Sequence, residues 1–291
     1  MSQQRGAKVT MAVDFESTFA TDPVSPAAFA VPIISHTLNK QADDTPNMRV
    51  LGREDEGPPV RGYNDVGGQV VVPLDDAAIG YWLAALLGTP TTTGATNYSH
   101  EYVLGLPVSM VIQESLADLS KYIKRQGMMI SKMTLTVSRD SDMTVQFDLL
   151  GSVQNDPSGT AYDADPTAVT GVRFNFSNCS IKYGGTAVTG FKEMTLEVDR
   201  QLADDGYGVG NSGNRTHIVP GMASVSGSLT AFFENNYLSD ATTPTEQSLE
   251  LIISRGDNNT ISIKMDEVRL SPPMIDLRGP QGRLAQYPFR A

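Results

Sequence analysis

A site that works through a metal or a nucleophile needs reactive side chains spaced so that the fold presents them together. The three histidines, His36, His100 and His217, are each isolated among residues that read as strand or loop. With one cysteine, Cys179, and no His-x-x-x-His pair, a transition-metal site would have to be gathered from distant segments. A surface or hydrogen-bonded structural role is the expectation for each histidine, and a small buried apolar role for Cys179. No Gly-x-Ser-x-Gly elbow raises a serine nucleophile, and no Ser-His-Asp arrangement stands out. Carboxylates do occur together, at Asp43-Asp44, Glu54-Asp55-Glu56, Asp75-Asp76 and Asp204-Asp205. Adjacent carboxylates suit Ca²⁺, but none has the spacing of a calcium loop with its distal Glu, so solvated acidic loops are expected. A hydrolase using two loop aspartates ranks well behind, because no spacing singles out a pair.

The segment Asp199 to Arg215 contains Gly206-Tyr207-Gly208-Val209-Gly210, which resembles a phosphate cradle. Its context argues against that role: no helical pattern follows to supply an N-terminus, and Asp204 and Asp205 precede the glycines. The loop lies between two alternating strands and is longer than an ordinary hairpin turn. It is expected to be a flexible tip or a contact arm ordered by a partner. No catalytic residue, metal ligand or cofactor is nominated.

The bulk composition reads as folded, soluble and turn-rich. Lys and Arg number 22 against 33 Asp and Glu, giving a net charge of −11, so binding nucleic acid through a basic face is disfavoured. Hydrophobic residues at 40% support a folded core, and 26 Gly with 17 Pro supply many turns. The opening MSQQRGAKVTMAVDFES has no apolar signal region, and no segment approaches the ~18 apolar residues of a membrane span. A chain made and folded in a cytoplasm is therefore expected, without a disulfide.

Most of the chain alternates with period two, the mark of strands buried on one face. In 132 to 138, Met133, Leu135 and Val137 face inward, and in 143 to 150 the inward set is Met143, Val145, Phe147 and Leu149. The polar stretch between them predicts an antiparallel hairpin. EMTLEVD at 193 to 199 nearly copies KMTLTVS at 132 to 138 and is expected to pair with 223 to 233, whose inward set is Ala223, Val225, Leu229, Ala231 and Phe233. A third hairpin is expected from 248 to 254 and 260 to 268, around Arg255-Gly256-Asp257-Asn258-Asn259. The stretches 89 to 97 and 154 to 171 read as surface loops, and 115 to 123, a weaker helical candidate, reads better as a turn entering a strand.

One helix is predicted, over about 75–87, with Asp75 at its N-cap and Gly88 as its stop. Ile79, Tyr81, Trp82, Leu83, Leu86 and Leu87 surround it almost completely, so more than one neighbour must cover it. Those elements position the strongest family signal. Gly62-Tyr63-Asn64-Asp65-Val66-Gly67-Gly68-Gln69-Val70, the helix with Gly80-Tyr81-Trp82-Leu83 and Leu86-Leu87-Gly88, and ISKMTLTVSRDSDMTVQFDLLGS come in a characteristic order. So do GFKEMTLEVDRQL, IVPGMASVSGSLTAFFENN and SLELIISRGDNNTISIKMDEVRLSPP. Together they resemble the major tail tube proteins of long-tailed, siphovirus-type bacteriophages, from about residue 60 to the C-terminus and more weakly before it.

That resemblance implies a mainly β fold, a β-sandwich or barrel-like core with one flanking helix and long loops. The chain is expected to form a single domain over 1–291, residues 1–60 being an extended arm with strands and 61–291 the β core with a C-terminal extension. It implies six copies in a ring and rings stacked into a hollow tube, which is built in the host cytoplasm around a tape-measure protein. Tail-tip or baseplate proteins and a terminator are further implied partners, and DNA passes through without specific binding. Glu193 and Glu197 are candidates for the lumen, where negative charge keeps DNA sliding. Tyr81, Trp82, Leu86, Asp204, Asp205 and Tyr207 are candidates for contacts between subunits or rings. A tail decoration or host-attachment domain binding a glycan or receptor is the alternative, but it calls for loop aromatics, and apart from Tyr162 and Tyr207 the aromatics fall mostly in strands or the helix. Tubes of contractile tails and of type VI secretion share the general architecture.

Overall fold

In a computed structural model, residues 3–47, 52, 57–139, 142–188, 190–232, 241, 245–256, 259–275 and 284–291 are described. Within them the alternating segments become strands that are almost all antiparallel. They are β1 (Val9–Phe15), β2 (Phe29–Val31), β3 (Asn39–Asn47), β4 (Gly57–Pro73), β5 (Met110–Leu116), β6 (Lys121–Ser138) and β7 (Thr144–Gly151). They continue as β8 (Cys179–Tyr183), β9 (Phe191–Asp199), β10 (Ser224–Phe232), β11 (Gln247–Arg255), β12 (Asn259–Leu270) and β13 (Leu284–Arg290). The helix α1 is Ile79–Leu87.

A main sheet runs in the order β3-β4-β7-β6-β9-β10-β13. A second sheet, β2-β1-β5-β6, shares the long strand β6 with it. A third, β8-β11-β12, joins the main sheet where Arg269 and Leu270 of β12 reach β13. The sheets are continuous but do not close into a barrel. Strand β6 changes sheets at two irregularities. Gly127 adopts φ +65°, and a Cβ there would meet the Phe19 ring and the Ser152 side chain at about 3 Å. Ser131 is an extra residue opposite β7, and its Oγ donates to the Asp148 carbonyl at 3.0 Å. Such bulges bend a strand and let one strand serve two sheets.

The core collects the inward faces expected from the alternation. Met133, Leu135 and Val137 on β6 meet Met143, Val145, Phe147 and Leu149 at β7, and Met194, Leu196 and Val198 on β9 extend the layer. The two similar segments turn out to be neighbours, paired Leu135 to Leu196 and Val137 to Met194. β9 pairs with β10 as expected, with Leu229 and Ala231 buried and Val225 half-buried, while Ala223 precedes the strand and Phe233 lies outside the described residues. The third hairpin forms as β11 and β12, around a turn in which Asp257 and Asn258 lie outside the described residues. Between β5 and β6 residues 117 to 120 are a turn, as the sequence suggested.

The helix starts later than predicted. Asp75 is bridged by its backbone to Arg173, and the helix begins at Ile79 after a bend and a turn over residues 76 to 78. The Asp75 carboxylate nevertheless accepts the N–H groups of Ala77, Ala78 and Ile79 at 3.0, 2.6 and 3.3 Å, serving the orphan donors that a cap serves. Gly88 ends the helix at φ 100°, its N–H bonded to the Ala84 carbonyl at 3.0 Å. Both stretches read as loops are more structured than that. Thr91–Thr93 and Ser99–Glu101 pair as a small hairpin. The 154 to 171 segment is held down by Tyr162, whose hydroxyl donates to Asp14 at 2.8 Å, and by Gln113, which accepts the N–H groups of Tyr162 and Asp163.

Candidate assembly surfaces

The core covers one face of the main sheet, and the other face is left polar. Because period two is kept across five strands, small hydroxyl residues fall into register there. Gln146, Thr134, Glu197, Ser226 and Arg290 form one row, and Thr144, Thr136, Thr195, Ser228 and Pro288 the next. Glu193 is exposed on this face beside Thr230. Glu197 is half-buried and paired with Lys132 at 3.0 Å, which offsets part of its charge. A shallow concavity runs between Thr195, Glu197, Ser226, Ser228 and Arg290.

The helix is placed against this sheet by its aromatics. Trp82 stacks on Phe147 with centroids 5.2 Å apart and planes 14° from parallel, while Tyr81 packs on Phe29 of β2 at 4.4 Å. Tyr102 closes a further side, its hydroxyl donating to the Gly80 carbonyl at 3.1 Å. Trp82 and Leu86 are wholly enclosed by their own chain. With no surface to offer, neither can touch a second subunit directly, which corrects the expectation drawn from the helix's all-round apolar character. Both sides of the helix are covered from within the chain. Tyr81 keeps some exposure.

The glycine-rich segment also differs from a flexible tip. Arg215 lies buried beneath it and donates to the carbonyls of Asp204 at 2.8 Å, Val66 at 3.3 Å and Gly151 at 3.0 Å, and to the Asp65 carboxylate at 2.7 Å. Tyr207 sits over that guanidinium at 4.9 Å and packs on Tyr63 at 4.8 Å. Burial pushes the Tyr207 hydroxyl above its ordinary pKa. The backbone N–H of Asn64 donates to the Gly213 carbonyl at 2.7 Å. The loop is thus folded back onto β4 of its own chain, with Asp204 and Asp205 exposed beside it and Val209 at its outer tip.

The histidines stay apart: His36 is 3.4 Å from Glu114, His100 contacts Thr92 and His217 contacts Thr216. Among the described residues, no group of three or more His, Cys, Asp or Glu side chains converges as a metal site. Glu54-Asp55-Glu56 lies outside them. Burial pushes the Cys179 thiol up to about 11, so the thiolate is scarce at neutral pH. No helix among the described residues is long and apolar enough to cross a membrane.

Sequence reading missed the buried ions. Glu114 faces Arg125 at 2.9 Å and His36 at 3.4 Å, tying β5, β6 and the short Ser35–His36 strand together. Burial alone would raise the Glu114 carboxyl, but His36 and Arg125 together outweigh it and hold it below the ordinary range. Glu16, buried near Gly127, is instead raised, because burial outweighs the N–H groups of Gly127 and Ala20 that it accepts. Isolated charges within strand patterns were the only available signal.

The described residues form a mainly β chain with a polar sheet face and a helix packed by its own aromatics. A family model described as phage tail tube protein matches residues 6–291. The chain belongs to that family. Among curated proteins, none matches the chain closely enough to count as a relative. Membership makes it a structural component of a virion tail that assembles with itself into a tube, and it extends the resemblance into the N-terminal segment where the motifs were weaker.

Proposed function

We propose that this tail tube protein polymerises as stacked hexameric rings into the tail of a siphovirus-type phage, around a tape-measure protein, forming the conduit for DNA ejection. The observation that carries the proposal is the uncovered polar face of the main sheet. A seven-stranded sheet with its other face in the core normally meets solvent or a partner. Here it presents mostly threonines and serines, with a few carboxylates and the basic Lys132 and Arg290, the former paired with Glu197. Glu193 and Glu197 belong to this lumen, with Lys132 tempering the charge of Glu197. Strand β3 pairs only with β4 among the described residues, and an open edge invites a neighbour's strand to continue the sheet around the ring. Tyr81, Asp204, Asp205 and Tyr207 belong to contacts between subunits or rings. Assembly in the host cytoplasm, with tip and terminator proteins closing the ends, follows from the same reading.

Electron microscopy of the purified protein tests this. The expected result is a hollow tube of sixfold rings with Glu193 and Glu197 facing the bore. Discrete monomers at high concentration defeat the tube, and a map with both glutamates on the outer wall defeats the lumen assignment.

A further inference from the structure

At the C-terminal end of α1 the chain carries an apolar surface that its own fold leaves bare. Residues 102 to 108 return along the helix, the Gly105 N–H donating to the Leu87 carbonyl at 2.8 Å and the Val108 N–H to Ala85 at 2.9 Å. This pins the backbone but leaves Val103 70%, Leu104 51% and Leu106 76% exposed. Arg200 joins a second segment to the first. Its Nη2 donates to the Gly105 carbonyl at 2.6 Å, and its own carbonyl accepts the Gly221 N–H at 3.1 Å. Val219, 53% exposed, and Met222, 84% exposed, flank Gly221. Five large apolar side chains on two adjoining segments make the kind of patch that marks an interaction site, whereas single exposed ones do not.

Two further observations point to an occupant. Arg200 is buried, its Nε has no hydrogen-bond partner, and no carboxylate among the described residues pairs with it. Burial lowers its pKa. A buried cation held by the Gly105 carbonyl, with no carboxylate partner among the described residues, is costly, and a carboxylate brought by a neighbour would offset that cost. Another copy of this chain, with 33 Asp and Glu against 22 Lys and Arg, offers such a carboxylate along with apolar surface to cover the patch. The hairpin of Thr91–Thr93 and Ser99–Glu101 stands just before the patch with every residue exposed. An isolated two-stranded hairpin is marginal in water and gains stability when something packs on it.

We propose that this surface, from Val103 to Leu106 with Val219 and Met222 over Arg200, is where a second copy of the chain docks during tube growth. The occupant rests on the tube-forming reading; the site rests on the exposure and on Arg200. The test compares wild type with a Leu104→Asp, Leu106→Asp double variant by sedimentation and microscopy, with thermal melting of the unassembled protein as a control. Both side chains are already exposed, so the monomer melts as wild type. The variant needs a concentration about tenfold or more higher to form tubes, the effect of losing one well-buried apolar side chain from an interface. Tubes forming at the wild-type concentration overturn the site. If wild type itself forms no tubes, the tube-forming reading has failed and the proposal with it. Leu106→Cys in a Cys179→Ala background gives the second readout. Maleimide reacts with Cys at 106 in unassembled protein and is blocked in tubes. Full reactivity in intact tubes reserves the patch for a different partner and overturns the assignment.

Discussion

Trp82 shows how one side chain can serve the fold and be mistaken for a contact. It is fully enclosed and stacked on Phe147, yet its indole Nε1 has no hydrogen-bond partner among the described residues. Trp82→Ala removes the ring and leaves a cavity, at a cost of about 3–5 kcal/mol. Trp82→Phe keeps most of the stacking and also removes a buried donor that nothing satisfies, so it costs much less. Urea denaturation of the unassembled protein measures both, and equal losses would mean that ring packing is not what holds the helix. Arg215 works in the opposite sense, since its buried guanidinium donates to three backbone carbonyls and one carboxylate. Arg215→Met removes the donors to the carbonyls of Val66, Gly151 and Asp204 and to the half-exposed Asp65 carboxylate, with an expected loss of about 1–3 kcal/mol. The glycine-rich loop loosens with it, seen as protease cleavage between 202 and 213 that wild type resists.

Among the elements, the strands were legible because one-sided burial writes itself into a period of two. Met133, Leu135, Val137 and their partners face the core as the alternation requires. The start of the helix was less legible, since Asp75 carries the side chain of a cap while its backbone is committed to a bridge with Arg173, a residue far along the chain. Asp75→Ala tests that division of labour. It deprives three N–H groups of their acceptor and is expected to cost about 1–2 kcal/mol, with Asp75→Asn retaining much of the stability. A melting temperature unchanged by Asp75→Ala would mean that the first turn is held by packing alone. The 154 to 171 and 199 to 215 segments looked like loops because their anchors are distant. Tyr162 reaches Asp14 and Arg215 reaches Val66 and Gly151, and no local pattern announces either contact. The candidate site divides the same way. The polar face with Glu193 and Glu197 follows from alternation, whereas the bare surface around Arg200 depends on which segments the fold brings side by side.

Charge acts on the molecule as a whole, and two buried carboxyls set its response to acid in opposite directions. Glu114 has a lowered pKa in the fold, so its stabilising contribution is present above the unfolded value and is lost as pH falls through the folded one. Glu16 has a raised pKa, so the fold gains stability from it as pH falls toward the unfolded value. Glu114→Gln should therefore weaken the protein near neutrality and flatten or reverse its acid destabilisation, as followed by chemical denaturation at stepped pH. An acid profile parallel to wild type would remove Glu114 from the account. Assembly meets the same charge on a larger scale, because every copy added to a tube brings a further −11 toward an already acidic surface. At about 10 mM salt such repulsion reaches ~30 Å, whereas at 1 M it is confined to ~3 Å. Apolar contacts such as those offered by Leu104, Leu106 and Met222 are not weakened by that screening. Tube formation by the purified protein should thus require less protein as salt rises from 10 mM toward 1 M, measured as the concentration at which sedimentable tubes first appear. Tubes that dissolve on adding salt would mean that ion pairs hold the copies together, and the bare apolar surface would lose its part in assembly.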